Sequence, residues 1–62
     1  MKIRDVLKRL QDDGWQIART RGSHRILKHS VKSGIVVVAG QPSKDVAAGT
    51  LKSIWKQAEL ED

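Results

Sequence analysis

Whatever reactive chemistry this chain carries centres on one short stretch, "TRGSHRILKHS". It holds both histidines, His24 and His29, with Arg19, Arg21, Arg25 and Lys28 around them. Histidine is the side chain best suited to moving protons near neutral pH, and arginine and lysine hold phosphate. Together these types suit RNA cleavage without metal. RNA supplies its own nucleophile, the 2′-hydroxyl beside each phosphate. The reaction needs a base for that hydroxyl proton, an acid for the leaving 5′-oxygen, and cations on the phosphate. On the residues alone a second reading stays open, in which His24 is an incidental strand histidine and the cations form a solvated face.

Other chemistries are disfavoured. His24 and His29 are an odd number of positions apart on one strand, so they point to opposite faces and make a poor metal pair. Ser23 beside His24 is not a triad, because adjacent strand residues diverge and no carboxylate lies near in sequence to orient the ring. Ser23 is better suited to hydrogen-bonding in its turn than to nucleophilic attack. Cysteine is absent, which removes disulfides, thiolate catalysis and Cys-based metal sites and fits a reducing, cytoplasmic setting. There is no Gly-rich phosphate loop, Walker pattern or EF-hand loop, and no cofactor or metal is expected. "MKIRDVLKRL" is charged throughout, unlike a signal peptide or membrane span, and "IVVVA" is far too short to cross a bilayer.

The 62 residues fit one domain with a modest core. A function must therefore sit on a surface or in a shallow groove. The net charge of +5 and a pI near 10.1 favour a polyanionic partner. The acids Asp5, Asp12, Asp13, Asp45, Glu59, Glu61 and Asp62 fall mostly in or beside the expected helices, whereas Ile17 to Lys44 contains none. That continuous basic segment suggests a patch rather than a scatter.

The elements that must position these residues follow from apolar spacing. Ile3, Val6, Leu7 and Leu10 mark a helix over roughly 3–13, stopped by Gly14. "WQIART" alternates Trp15 and Ile17 with Gln16, as a half-buried strand does. Gly22 supplies a turn, Ser23 to His29 a second strand, and the β-branched Ile35 to Ala39 a third. Leu51, Ile54, Trp55 and Ala58 mark a second helix over about 47–60, with Gly49 weakening its first turn. The order α-β-β-β-α predicts an α+β two-layer sandwich: two helices on one face of a three-stranded antiparallel sheet, the other face open to a polyanion. The expected core is Val6, Leu7, Leu10, Ile17, Val36 or Val37, Leu51, Ile54 and Trp55. Trp15 and Trp55 lie on apolar stripes, which favours packing over base stacking.

"TRGSHRILKH", a valine-rich strand and then "GTLKSIWKQAEL" resemble the HicA toxins, small mRNA interferases of bacterial toxin–antitoxin pairs, over nearly the whole chain. The resemblance implies a fold like a double-stranded RNA-binding domain, ribosome-independent mRNA cleavage, and a HicB-like antitoxin that covers the site. It makes the histidine of Gly-Ser-His, here His24, the catalytic residue. Gly22 then positions the site, and Arg21, Ser23, Arg25 and Lys28 are the RNA-binding candidates. A non-catalytic RNA-binding module and a degenerate toxin acting only through protein contacts remain the alternatives. Two departures stand out. Many members carry Pro and then His after the third strand, where this chain has Ala39, Gly40 and Gln41. A second proton-transfer group would have to be His29 or a lysine. The Gly of the usual Gln-Ala-Gly-Leu ending is Glu59 here.

Overall fold

The computed structural model describes residues 1–60; Glu61 and Asp62 lie outside them. Helix α1 (Ile3–Asp12) leads into strands β1 (Trp15–Arg21), β2 (His24–His29) and β3 (Val36–Ala39), and helix α2 (Ala48–Gln57) follows. The strands form one antiparallel sheet in the order β1-β2-β3, with β2 in the centre. This is the expected α+β order. Among the described residues, no helix is long and apolar enough to cross a membrane.

The core joins Ile3, Val6 and Leu10 of α1, Ile54 and Trp55 of α2 with Ala58 just beyond it, and Trp15, Leu27, Val36 and Val38 of the sheet. The sheet members share one face, since Leu27 pairs Val36 and side chains alternate from there. Both helices therefore pack on that face. Val37 points the other way and is 40% exposed.

Ile17 departs from expectation. It sits opposite Leu27 on the helix-facing side, yet it is 41% exposed. In β1 only Trp15 is buried; everything from Gln16 to Arg21 is exposed. Beyond Trp15 this edge strand is only partly covered, and its second apolar residue stays outside the core cluster.

Backbone contacts at the helix ends explain how the layers are tied. The first N–H groups of α1, which lack partners within the helix, are taken by a distant loop: Ile3 donates to Lys44 O at 2.8 Å and Arg4 to Pro42 O at 3.1 Å. At the other end, Gly14 has φ +105, and a Cβ there would lie 2.7 Å from His29 Nε2. Only glycine fits both demands. Lys32, between β2 and β3, reaches the C-terminal ends of both helices. Its Nζ donates to Asp13 Oδ2 at 2.6 Å, Ala58 O at 3.0 Å and Glu59 O at 3.2 Å. This hydrogen bond is the main reason the Asp13 carboxyl is held below its ordinary value of 3.8, with the Lys32, His29 and Arg9 charges adding to it against desolvation.

Candidate functional site on the open sheet face

The β1–β2 hairpin is closed by the pair Arg21–His24, with Gly22-Ser23 as a two-residue loop. Gly22 has φ +60 and Ser23 is not among the residues with positive φ. That is the II′ pattern, which calls for glycine at the first central position and matches the twist of paired strands. A Cβ on Gly22 would meet nothing, so the requirement is conformational. The tight loop fixes His24 directly across from Arg21.

Which side chains share the face with His24 depends on a bulge. Ile17 pairs Leu27, but Arg19 pairs Ile26, so Ala18 is an extra residue in β1. A one-residue shift moves every later side chain to the opposite face. Strict alternation from Trp15 would have put Arg19 and Arg21 beneath the sheet with Ile17. The bulge brings both to the open face instead. Opposite residues share a face, so that surface carries Gln16, Arg19 and Arg21 from β1, His24, Ile26 and Lys28 from β2, and Val37 and Ala39 from β3.

His24 is exposed, and among the described residues its imidazole makes no hydrogen bond or ion pair. Three cations, Arg19, Arg21 and Lys28, stand on its face. Residue types alone do not place Arg19 on this face, since the bulge that puts it there has no marker in them.

The remaining candidates go elsewhere. Arg25 pairs Val38 on the helix-facing side, where Nη1 donates to Gly40 O at 2.7 Å and Ser23 O at 3.4 Å. Ser23 contributes its carbonyl, which also accepts from Gly40 N–H at 3.2 Å. His29 cannot serve as a second proton-transfer group beside His24. It lies on the opposite face, half-buried against Trp15 in an edge-on contact at 5.3 Å. Its Nδ1 accepts from the N–H groups of Val31 at 3.0 Å and Lys32 at 3.1 Å, so Nε2 is the donor to Asp13 O at 2.6 Å. Both ring nitrogens are used. Trp15 and Trp55 are buried and offer no stacking surface. Among the described residues, no group of three or more His, Cys, Asp or Glu side chains could hold a metal ion.

A groove of about 480 Å³ is lined by Ala48, Leu51, Lys52, Trp55, Lys56 and Leu60 of α2 and its C-terminal turn. It belongs to the helical layer, so the histidine site is an open surface and not a cavity.

No curated protein matches this chain closely enough to be called a relative. A family model does match: that of the family described as "HicA toxin of bacterial toxin-antitoxin" covers residues 3–60. Together with the α-β-β-β-α order and the Gly-Ser-His hairpin, a match over nearly the whole length establishes that this chain belongs to the HicA family, the toxin half of a bacterial toxin–antitoxin pair.

Proposed function

We propose that this toxin is a metal-independent endoribonuclease that cleaves mRNA in the cytosol, with His24 as its general acid–base and a HicB-like antitoxin as its inhibitor. The observation that carries the reading is the exposed, unengaged imidazole of His24 directly across from Arg21, on a face that also bears Arg19 and Lys28. An RNA strand laid on that face meets cations at its phosphates and one proton-transfer group beside them.

The reaction is a transfer within the RNA. The 2′-oxygen attacks the adjacent phosphorus, the P–O5′ bond breaks, and one proton moves overall from the 2′-oxygen to the 5′-oxygen. A single imidazole that accepts the first proton and returns it to the departing oxygen balances the step. Arginine stays protonated at all working pH values, so Arg21 and Arg19 serve as counter-charges for the phosphorane and not as acids. An antitoxin that binds the open face would cover His24 and the cations together.

The test is cleavage of single-stranded RNA by purified protein in EDTA. His24→Ala is expected to lose a factor of about 10² to 10⁴ in rate while keeping its circular dichroism spectrum and melting temperature, because the ring has no packing role. His29→Ala, which removes the ring packed on Trp15, is expected to act mainly on stability. Cleavage by His24→Ala at the wild-type rate would refute the assignment. A gel shift without cleavage by the wild-type protein would identify an RNA-binding module instead.

A further inference from the structure

Arg25 follows His24 in sequence and belongs to the same basic run, yet it works from the far side of the sheet. Its guanidinium donates to the carbonyls of Ser23 and Gly40. Ser23 immediately precedes His24, and Gly40 immediately follows Ala39, the residue paired with His24 on β3. The same two residues are also joined by the Gly40 N–H to Ser23 O bond at 3.2 Å. The main chain of both strands, one residue beyond the His24–Ala39 pair, is thus clamped from behind by one half-buried cation.

The position of Gly40 shows why a side-chain clamp is useful there. β3 ends at Ala39, and Gly40 turns away with φ +119 while packing against the Ile3 side chain, 3.5 Å from where a Cβ would stand. The sheet ladder stops at the His24–Ala39 pair. Beyond the His24–Ala39 pair, among the described residues, the Gly40–Ser23 backbone hydrogen bond and the Arg25 guanidinium join the two strands. A planar guanidinium with several fixed donors can reach two carbonyls at once. The bond to Gly40 O, at 2.7 Å, is at the short end for a charge-assisted contact.

We propose that Arg25 is a positioning residue: it fixes the backbone that carries His24 and does not itself hold RNA. This rests on reading His24 as the proton-transfer residue. Small displacements of a reacting group are expensive; about 1 Å costs roughly 10²-fold in rate. Loss of the clamp should therefore appear in turnover and not in RNA affinity.

The experiment compares Arg25→Met, which keeps an apolar stem and loses every donor, with Arg25→Lys, which keeps one cationic donor group, using steady-state RNA cleavage. Arg25→Met is expected to lower kcat about 10- to 100-fold, with KM within about twofold and the salt dependence of RNA binding unchanged. Arg25→Lys is expected to recover part of kcat. The double variant Arg25→Met/His24→Ala should be no slower than His24→Ala alone, since a residue acting only through another has nothing left to contribute. A raised KM with unchanged kcat and a weaker salt dependence would make Arg25 an RNA contact and overturn the proposal. So would fully additive losses in the double variant, or a wild-type kcat. If Arg25→Met does not fold, a wild-type kcat for Arg25→Lys with a raised KM overturns it, and a lowered kcat at constant KM supports it. Failure of the underlying His24 reading looks different: it appears as an active His24→Ala, whatever Arg25 does.

Discussion

Replacing Glu59 with glycine should make this protein more stable. α2 ends in a tight turn in which Leu60 N–H bonds Trp55 O at 2.8 Å and Glu59 N–H bonds Lys56 O at 3.2 Å. These are the two bonds of a Schellman motif, with Glu59 at the position that normally takes glycine. Its φ is +55, the only positive value for a non-glycine among the described residues. An L side chain in that conformation costs roughly 1–2 kcal/mol. Glycine relieves this but loses more backbone freedom on folding, a cost of roughly 0.5–1 kcal/mol. It also removes an acidic side chain from the negative end of a helix, a gain of about 0.3–1 kcal/mol. The backbone groups of Glu59, including the carbonyl that accepts from Lys32, are untouched. The balance is a stabilisation of about 1 kcal/mol, which for a domain of this size raises Tm by about 4–8 °C. Thermal denaturation followed by circular dichroism reads it, with Glu59→Ala as the control. Alanine removes the charge and keeps the Cβ, so it should gain much less. Equal shifts for the two variants would show that charge and not backbone conformation limits the turn. A lower Tm for Glu59→Gly would refute the reasoning altogether.

Gly14→Ala should destabilise by about 2 kcal/mol or more, because it adds a Cβ at positive φ and drives it against the His29 ring; a denaturant melt with an unchanged midpoint would contradict that. Asp13 has a folded-state value below its unfolded one, so its contribution is fully present above the unfolded value and is lost as pH falls through the folded one. Acid titration of stability should therefore fall more steeply for the wild type than for Asp13→Asn in the range below about pH 4, and parallel curves would count against the Lys32–Asp13 link. RNA binding should show a slope of log K against log salt of about −2, from roughly three phosphate contacts at −0.7 each by Arg19, Arg21 and Lys28. Arg21→Ala should reduce that slope by about 0.7; a slope near zero in the wild type would remove the open face as the binding surface.

The fold could be read from sequence because its apolar periodicities are clean. The i, i+3, i+4, i+7 stripes of both helices and the valine-rich third strand each specify one buried face, and glycines mark the turns. Ile17 misled because alternation reports which face a side chain takes and not whether a second layer extends over it. The site was legible in part. The Gly-Ser-His hairpin marks His24 as the candidate, and odd spacing separates it from His29, which lies on the opposite face. The same parity places Arg25 on the face away from His24; grouping the two by proximity in sequence obscured this. Arg19 could not have been found this way, because the extra residue, Ala18, is small and carries no glycine or proline signal. Its only trace is the register of β1 against β2, a property of pairing between strands.

The acid-free basic segment therefore resolves into separate jobs. Lys32 ties the two helix ends together through Asp13 and the carbonyls of Ala58 and Glu59. Arg25 joins the ends of β2 and β3 behind His24. What the open face keeps for a polyanion is Arg19, Arg21 and Lys28, and two of these three are there only because β1 carries one residue more than its partner. Net charge thus overstates the cationic surface that the open face presents. The bulge gives two arginines to the histidine's face, while the hairpin's II′ loop sets one of them directly across from His24. In a domain too small for an enclosed cleft, strand register takes the part that cavity walls play elsewhere: it decides which charges share a face with His24, the candidate proton-transfer group.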